Sequence, residues 1–382
     1  MLQLKGNLVY TGTDTVENGV VAIDGTTIDS VSSANDATDT AAYPVITPAL
    51  IDAHCHIGLI RGGEPGDEAE ANEHMGALLA HADVLDSIQM DDVGLRQSIE
   101  CGVLYSCVLP GSGNIIGGNS AVIRNYGMDT NAAFIRRSGI KAAFGYNPMH
   151  TREWKGQRPY TRMGALAMLR AKLHDVKAKM DKEAAAAANP DKTADVTYSA
   201  EEAVVKAILS GEERMRIHVH KADDIAAILR FVEEWDIKVV LEHTMDIHQA
   251  GVYEQVRDHD IPVIYGPMDS LAYKVELKHE GWENVKYLID SGVEFGLMTD
   301  HPVILQKMLL FELRHFIRMG MSKADALGVI TAKNAELIGV GDILGTLEEG
   351  KWASLVCWSG DPFSLESYPI AIYAEGELIY KA

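Results

Sequence analysis

Two histidines one residue apart, His54 and His56, end the apolar run Ile46-Thr47-Pro48-Ala49-Leu50-Ile51-Asp52-Ala53. In an extended strand, positions i and i+2 share a face, so both imidazoles aim at one point where the strand runs out. Neutral imidazole is a good ligand for zinc and similar divalent ions. An isolated His-x-His is most simply a polar strand mouth, but here the pattern recurs. His218 and His220 end Met215-Arg216-Ile217-His218-Val219-His220, His243 ends Val239-Val240-Leu241-Glu242-His243, and Asp300 ends Gly296-Leu297-Met298-Thr299-Asp300. Three or four N/O ligands with an open position compose a catalytic metal site, where bound water is acidified toward hydroxide. Cys55, between the first two histidines, points the other way by strand alternation and reads as core.

The elements that carry these residues are short apolar strands alternating with helical patterns, which argues for a parallel α/β architecture. Besides the opening strand, the candidates are 103–108, 140–144, 215–219, 238–241, 262–265 and 293–298. That makes seven, one short of a barrel of eight. The missing strand is expected between 146 and 214, with 195–198 as a weak candidate. A helix is expected from about 162 to 188, stopped by Asn189-Pro190, since proline cannot continue it. A second begins after Ser199, which has capping-box spacing to Glu202. Both ends of the chain read as strands and tight turns, with Asp24-Gly25 and Glu375-Gly376 as hairpin signals. They predict one small β-domain assembled from both termini.

The 382 residues suffice for one large domain and a small one. A net charge of −21 disfavours nucleic acid or an anionic membrane as general partners. No apolar run reaches the length that spans a bilayer. The first residues lack the pattern of a signal peptide, and the four cysteines, Cys55, Cys101, Cys107 and Cys357, are scattered without a paired framework. The expectation is therefore a cytoplasmic protein without structural disulfides. Association into a homo-oligomer is left open.

The chain resembles the amidohydrolase superfamily, in the branch of imidazolonepropionase-like and dipeptidase-like enzymes. The matching motifs are Pro48-Ala49-Leu50-Ile51-Asp52-Ala53-His54-Cys55-His56, the His218 and His243 strand ends, Thr299-Asp300-His301-Pro302, Thr331-Ala332-Lys333-Asn334-Ala335, and the tail Gly345–Val356. The resemblance covers nearly the whole chain. It implies a distorted (β/α)8 TIM-like barrel, residues 48–344, with a small β-sandwich from residues 1–47 and 345–382. It implies hydrolysis of a carbon–nitrogen bond by metal-activated water. Carried over by position, His54, His56, His218 and Asp300 are metal ligands. His243 either binds a second metal or polarises the substrate carbonyl. Asp300 also takes a proton from the nucleophilic water and passes it to the leaving nitrogen. His220 and His301, beside these ligands, are assigned to substrate. The chain departs from the pattern at Ala49, where glycine is usual. It also departs at the fourth strand, whose lysine or glutamate bridges two metals in binuclear members. Lys192 lies near the expected place but in a turn, so one ion is favoured, zinc over iron or manganese because the set is rich in histidine.

Two further clusters could touch substrate. Pro110–Ser120 is glycine-rich and follows a strand, but it lacks the lysine and Ser/Thr of a P-loop. It reads as a tight barrel loop, with Asn114 or backbone amides as the groups that would hold substrate. Asn147–Arg162 holds Arg152, Arg158 and Arg162, a basic concentration in an acidic chain. Arginine grips carboxylate bidentately, so the loop would read an acidic substrate end; the plainer alternative is a solvated or ion-paired loop. The function expected is hydrolysis of a small amide, whether cyclic amide, dipeptide or N-acyl amino acid. Deamination of a ring amidine is the alternative, and a non-catalytic scaffold is disfavoured because the metal-type residues are all present.

Overall fold

A computed structural model describes residues 1–33, 42–149, 154–189, 195–272 and 274–382. The eight strands of the larger sheet are β5 to β12 in chain order. The amino-terminal strands are β1 (Leu2–Tyr10), β2 (Thr15–Asp24), β3 (Thr27–Ser33) and β4 (Ala42–Pro48). Then come β5 (Leu50–Cys55), β6 (Val103–Val108), β7 (Ile116–Arg124), β8 (Phe134–Ala143), β9 (Met215–Val219), β10 (Val239–His243), β11 (Val263–Tyr265) and β12 (Phe295–Leu297). The chain ends with β13 (Leu355–Trp358), β14 (Pro369–Ala374) and β15 (Glu377–Lys381).

β5, β6, β9 and β10 are buried at every position, as strands covered on both faces must be. The sheet runs β5 to β12 in order, and backbone hydrogen bonds beyond β12 close it. The Asp300 amide donates to the His54 carbonyl at 3.1 Å, and the His56 amide to the His301 carbonyl at 2.8 Å. Asn334 locks the same seam: its Nδ2 donates to the carbonyls of Ile51 (2.6 Å) and Leu297 (2.8 Å), while its Oδ1 accepts from the Leu297 amide. The Thr331–Ala335 motif thus staples the first strand to the last. It puts His54 and His56 beside Asp300.

The eighth strand corrects the expectation. Residues 195–199 carry no regular structure, and the missing strand is β7, antiparallel to both β6 and β8. Residues 109–115 are too few for the crossover that a parallel neighbour would need. The stretch looks like a loop because Gly118, at φ 120°, presses so close to the Ala82 carbonyl that a Cβ would collide with it. Half of the expected glycine-rich loop is therefore strand. β8 becomes the fourth strand of the barrel.

The helix expected near 162–188 spans Arg162–Ala187, capped by Thr161. The next, Ala200–Leu209, carries the reciprocal Ser199–Glu202 capping box. The termini form a second, seven-stranded sheet in the order β15-β14-β13-β4-β1-β2-β3. Its core draws on strands near both ends of that order, from Ile28 to Tyr373. The architecture is thus an α/β barrel with an added β-domain. No helix among the described residues is long and apolar enough to cross a membrane.

Candidate active site

The strand ends deliver two groups of metal-type side chains to one place. His54, His56 and Asp300 each offer an atom within 4.8 Å of the others, and so do His218, His220 and His243. Ring centroids of His54 and His243 are 5.1 Å apart, so the two groups adjoin. His56 Nε2 and His54 Nε2 stand 3.1 and 3.6 Å from Asp300 Oδ1. Burial holds His54, His220 and His243 well below the ordinary imidazole pKa and brings His218 to about 4. All four are therefore neutral near pH 7, the form that binds metal.

The rings are aimed by groups behind them. His56 Nδ1 meets the Leu109 carbonyl at 2.8 Å and His243 Nδ1 the Gly266 carbonyl at 3.0 Å, so in each the Nδ1–H donates and Nε2 is left for the site. His54 Nδ1 meets Glu242 Oε2 at 2.8 Å, while Glu242 Oε1 accepts from Arg216 Nε at 2.6 Å. Arg216, 1% exposed, also donates to the Ala53 carbonyl at 2.8 Å. Carboxylates and carbonyls behind ligating histidines fix the tautomer and raise ligand basicity.

Lys141 corrects the expectation for the fourth strand. It projects from β8 with Nζ 3.1 Å from His54 Nε2, and it is fully buried. Burial lowers its pKa to about 8, against the opposing pull of Asp300 and Glu242. Lys192 lies outside the described residues, and Lys141 fills the place where no counterpart was expected. A lysine in the apolar run Ile140-Lys141-Ala142-Ala143-Phe144 was the available signal, since an internal strand charge needs a buried partner. Arg216 and Glu242 carry the same signal in β9 and β10.

Glu276 was also missed. On the connection after β11 and 1% exposed, it stands 3.4 Å from His218 Nε2 and 3.2 Å from Lys274 Nζ. Although burial alone would raise its pKa, His218, His220 and Lys274 hold it well below the carboxylate range.

The residues expected at substrate divide. His220 joins the histidine cluster. His301 packs against Gly94 instead, its Nδ1 accepting from the Gln306 amide at 3.1 Å. The Asn114 amide nitrogen is taken by the carbonyls of Glu73 (2.8 Å) and Gly76 (2.7 Å), so it shapes a loop. Arg162 ion-pairs with Asp224 at 2.5 Å and is the packing contact that the plainer reading allowed. Arg152 lies outside the described residues. Arg158 remains: its guanidinium stacks on Trp154 at 4.3 Å and donates to the Glu73 carbonyl at 3.1 Å, while Nε and Nη1 are buried without a partner. Cys55 is core, as expected.

The donor set fits a divalent metal. Asp300 Oδ1 and the Nδ1 atoms of His218 and His220 are buried with no hydrogen bond, a costly state that a cation would relieve. The imidazole–carboxylate composition suits zinc-like ions.

The chain is also similar to known proteins. An amidohydrolase called tasK, from Hapsidospora irregularis, is 23% identical over 365 residues; the match takes in 87% of this chain but only 36% of that protein's length. The structure of an amidohydrolase from Thermotoga maritima MSB8 superposes over all of both chains with a TM-score of 0.91 and 28% identity. A prolidase complexed with N-methylphosphonate-L-proline shares the fold, with a TM-score of 0.61 and 17% identity over the whole of both chains. The pattern that describes the amidohydrolase family matches residues 138–377, well over half of the sequence, and the chain belongs to that family.

Proposed function

We propose that this chain hydrolyses a carbon–nitrogen bond in a small, carboxylate-bearing amide, a dipeptide or N-acyl amino acid, with two divalent ions, zinc by composition. The observation that carries the reading is the convergence of two groups of metal-type side chains, with Lys141 Nζ 3.1 Å from His54 Nε2. His54, His56 and Asp300 would hold one ion, and His218 and His243, with His220 beside them, the other. Bound there, such ions acidify water and polarise the scissile carbonyl. Two adjacent groups with a lysine at their junction support two ions over one. A cationic lysine would oppose both ions, whereas a neutral amine can add carbon dioxide. That reaction would form an N–C bond and release one proton, and the resulting carbamate would add two oxygens to the groups that could hold the ions.

The other steps belong to this chain's own groups. Asp300 Oδ1, free of hydrogen bonds, takes a proton from the attacking water and returns it to the leaving nitrogen. Glu242 holds the His54 ring, and Arg216 holds Glu242. Arg158 reads the substrate carboxylate through Nε and Nη1. Earlier in the chain, Asn147 Oδ1 accepts from Lys274 Nζ at 3.2 Å, and Lys274 in turn meets Glu276 beside His218. The amino-acid-like ligand of the prolidase is in keeping with this substrate class.

The test is a panel of dipeptides, including X-Pro, with N-acyl amino acids, cyclic amides and ring amidines. Each is assayed with metal-depleted and zinc-restored protein, following amine and ammonia release. Zinc-dependent cleavage of carboxylate-bearing amides is expected. Ammonia from amidines alone would replace the reading with a deaminase. Equal turnover after metal removal would overturn it.

A further inference from the structure

A third group of metal-type residues lies outside the catalytic cluster. Asp246 and His248 stand on the loop after β10, and His279 on the long connection from β11 to the helix Val285–Ser291. Their ligand atoms lie within 4.8 Å of one another. Asp246 is 3% exposed; its Oδ1 accepts from the His279 amide at 2.6 Å, and its Oδ2 stands 3.3 Å from His279 Nδ1. The two imidazoles pack with centroids 4.1 Å apart.

We infer that Asp246, His248 and His279 form a second, non-catalytic site for a divalent transition ion of the zinc class. The His248 ring is already set for ligation: its Nδ1 donates to the Asp246 carbonyl at 2.9 Å, which leaves Nε2 with its lone pair outward. That is the arrangement ligating histidines adopt. Acidic groups lie nearby as well. Asp246 and Asp269 both act on Glu280, whose Oε2 is buried without a partner. Two imidazoles and one carboxylate suit zinc, nickel or copper better than magnesium or calcium. His279 is 40% exposed at its side chain, so water can complete the coordination.

The site joins two loops that matter to the catalytic centre. One follows His243; the other carries Lys274 and Glu276, which contact Asn147 and His218. An ion there would pin the 267–281 connection to the loop after β10.

The experiment is zinc uptake by the holoenzyme in equilibrium dialysis, with metal counted by mass spectrometry, for wild type, His248→Ala and His279→Ala. Wild type is expected to hold one zinc per chain more than either variant, with the tightly held complement unchanged. Zinc should also slow proteolysis within 267–281 in wild type and not in His248→Ala. Equal zinc counts in all three proteins would overturn the site. If His279→Ala fails to fold, His248→Ala decides, since its ring makes no hydrogen bond outside its own loop among those described.

Discussion

Replacing Glu242 with glutamine should separate what the buried ion pair does for the fold from what it does for the site. Both carboxylate oxygens are engaged, Oε2 by His54 Nδ1 at 2.8 Å and Oε1 by Arg216 Nε at 2.6 Å, and all three side chains are at most 1% exposed. The amide keeps one acceptor and turns N–H groups toward the other donor, so Arg216 is left as a buried cation without a counter-charge. Breaking a buried pair in this way costs about 3–5 kcal/mol. For a chain of this length the unfolding entropy is roughly 0.8 kcal/mol/K, so Tm should fall by about 4–6 °C. His54 also loses the carboxylate that orients it, which should weaken metal binding about 10–100-fold. The assays are calorimetry and chelator competition. A double variant, Glu242→Leu with Arg216→Met, removes both charges of the pair and should recover much of the stability. It should still bind metal weakly, because His54 Nδ1 then has no acceptor. Wild-type metal affinity in Glu242→Gln, whatever its Tm, would refute the claim that this carboxylate aims His54.

Asp300→Asn should lower kcat by a factor on the order of 10²–10⁴ while metal content stays largely intact, since an oxygen ligand remains and the base is lost; near-normal turnover with metal bound would place the base elsewhere. Arg158→Met should cost about one to two powers of ten in kcat/KM on a carboxylate substrate and much less on its neutral amide analogue, as read by paired kinetics. Equal losses on both would reduce Arg158 to a loop support. Glu312, 2% exposed with neither oxygen hydrogen-bonded, has its pKa pushed well up by burial and then by the Asp52 charge. The fold therefore holds its proton where the unfolded chain has released it, so stability falls as pH rises from the ordinary carboxyl range. Glu312→Gln should be more stable than wild type by an amount that grows between about pH 5 and 8 and vanishes below the ordinary carboxyl pKa; melting curves across that range with no such divergence would refute it.

The histidines and aspartate gathered from β5, β9, β10 and beyond β12 are legible as a cluster because each ends an apolar run, and period-two alternation aims neighbouring histidines together. β7 was not, because Gly117 and Gly118 read as a turn until the Ala82 carbonyl is seen against them. Its neighbour Lys141 was visible as a charge inside a strand, but its partner His54 lies 87 positions away. The same distance problem hid Glu242, 188 positions from His54, and left Arg162 a candidate for substrate until Asp224 was found holding it. Local pattern places side chains on faces. Which faces meet is decided by the closure of the barrel.

The most direct measurement is anomalous scattering at the zinc edge from crystals of protein purified with zinc. The account predicts two peaks at the strand ends, one held by His54, His56 and Asp300, the other by His218 and His243, with Lys141 between them. Density contradicting it would be a single peak that ignores Asp300, or no ordered metal among these residues.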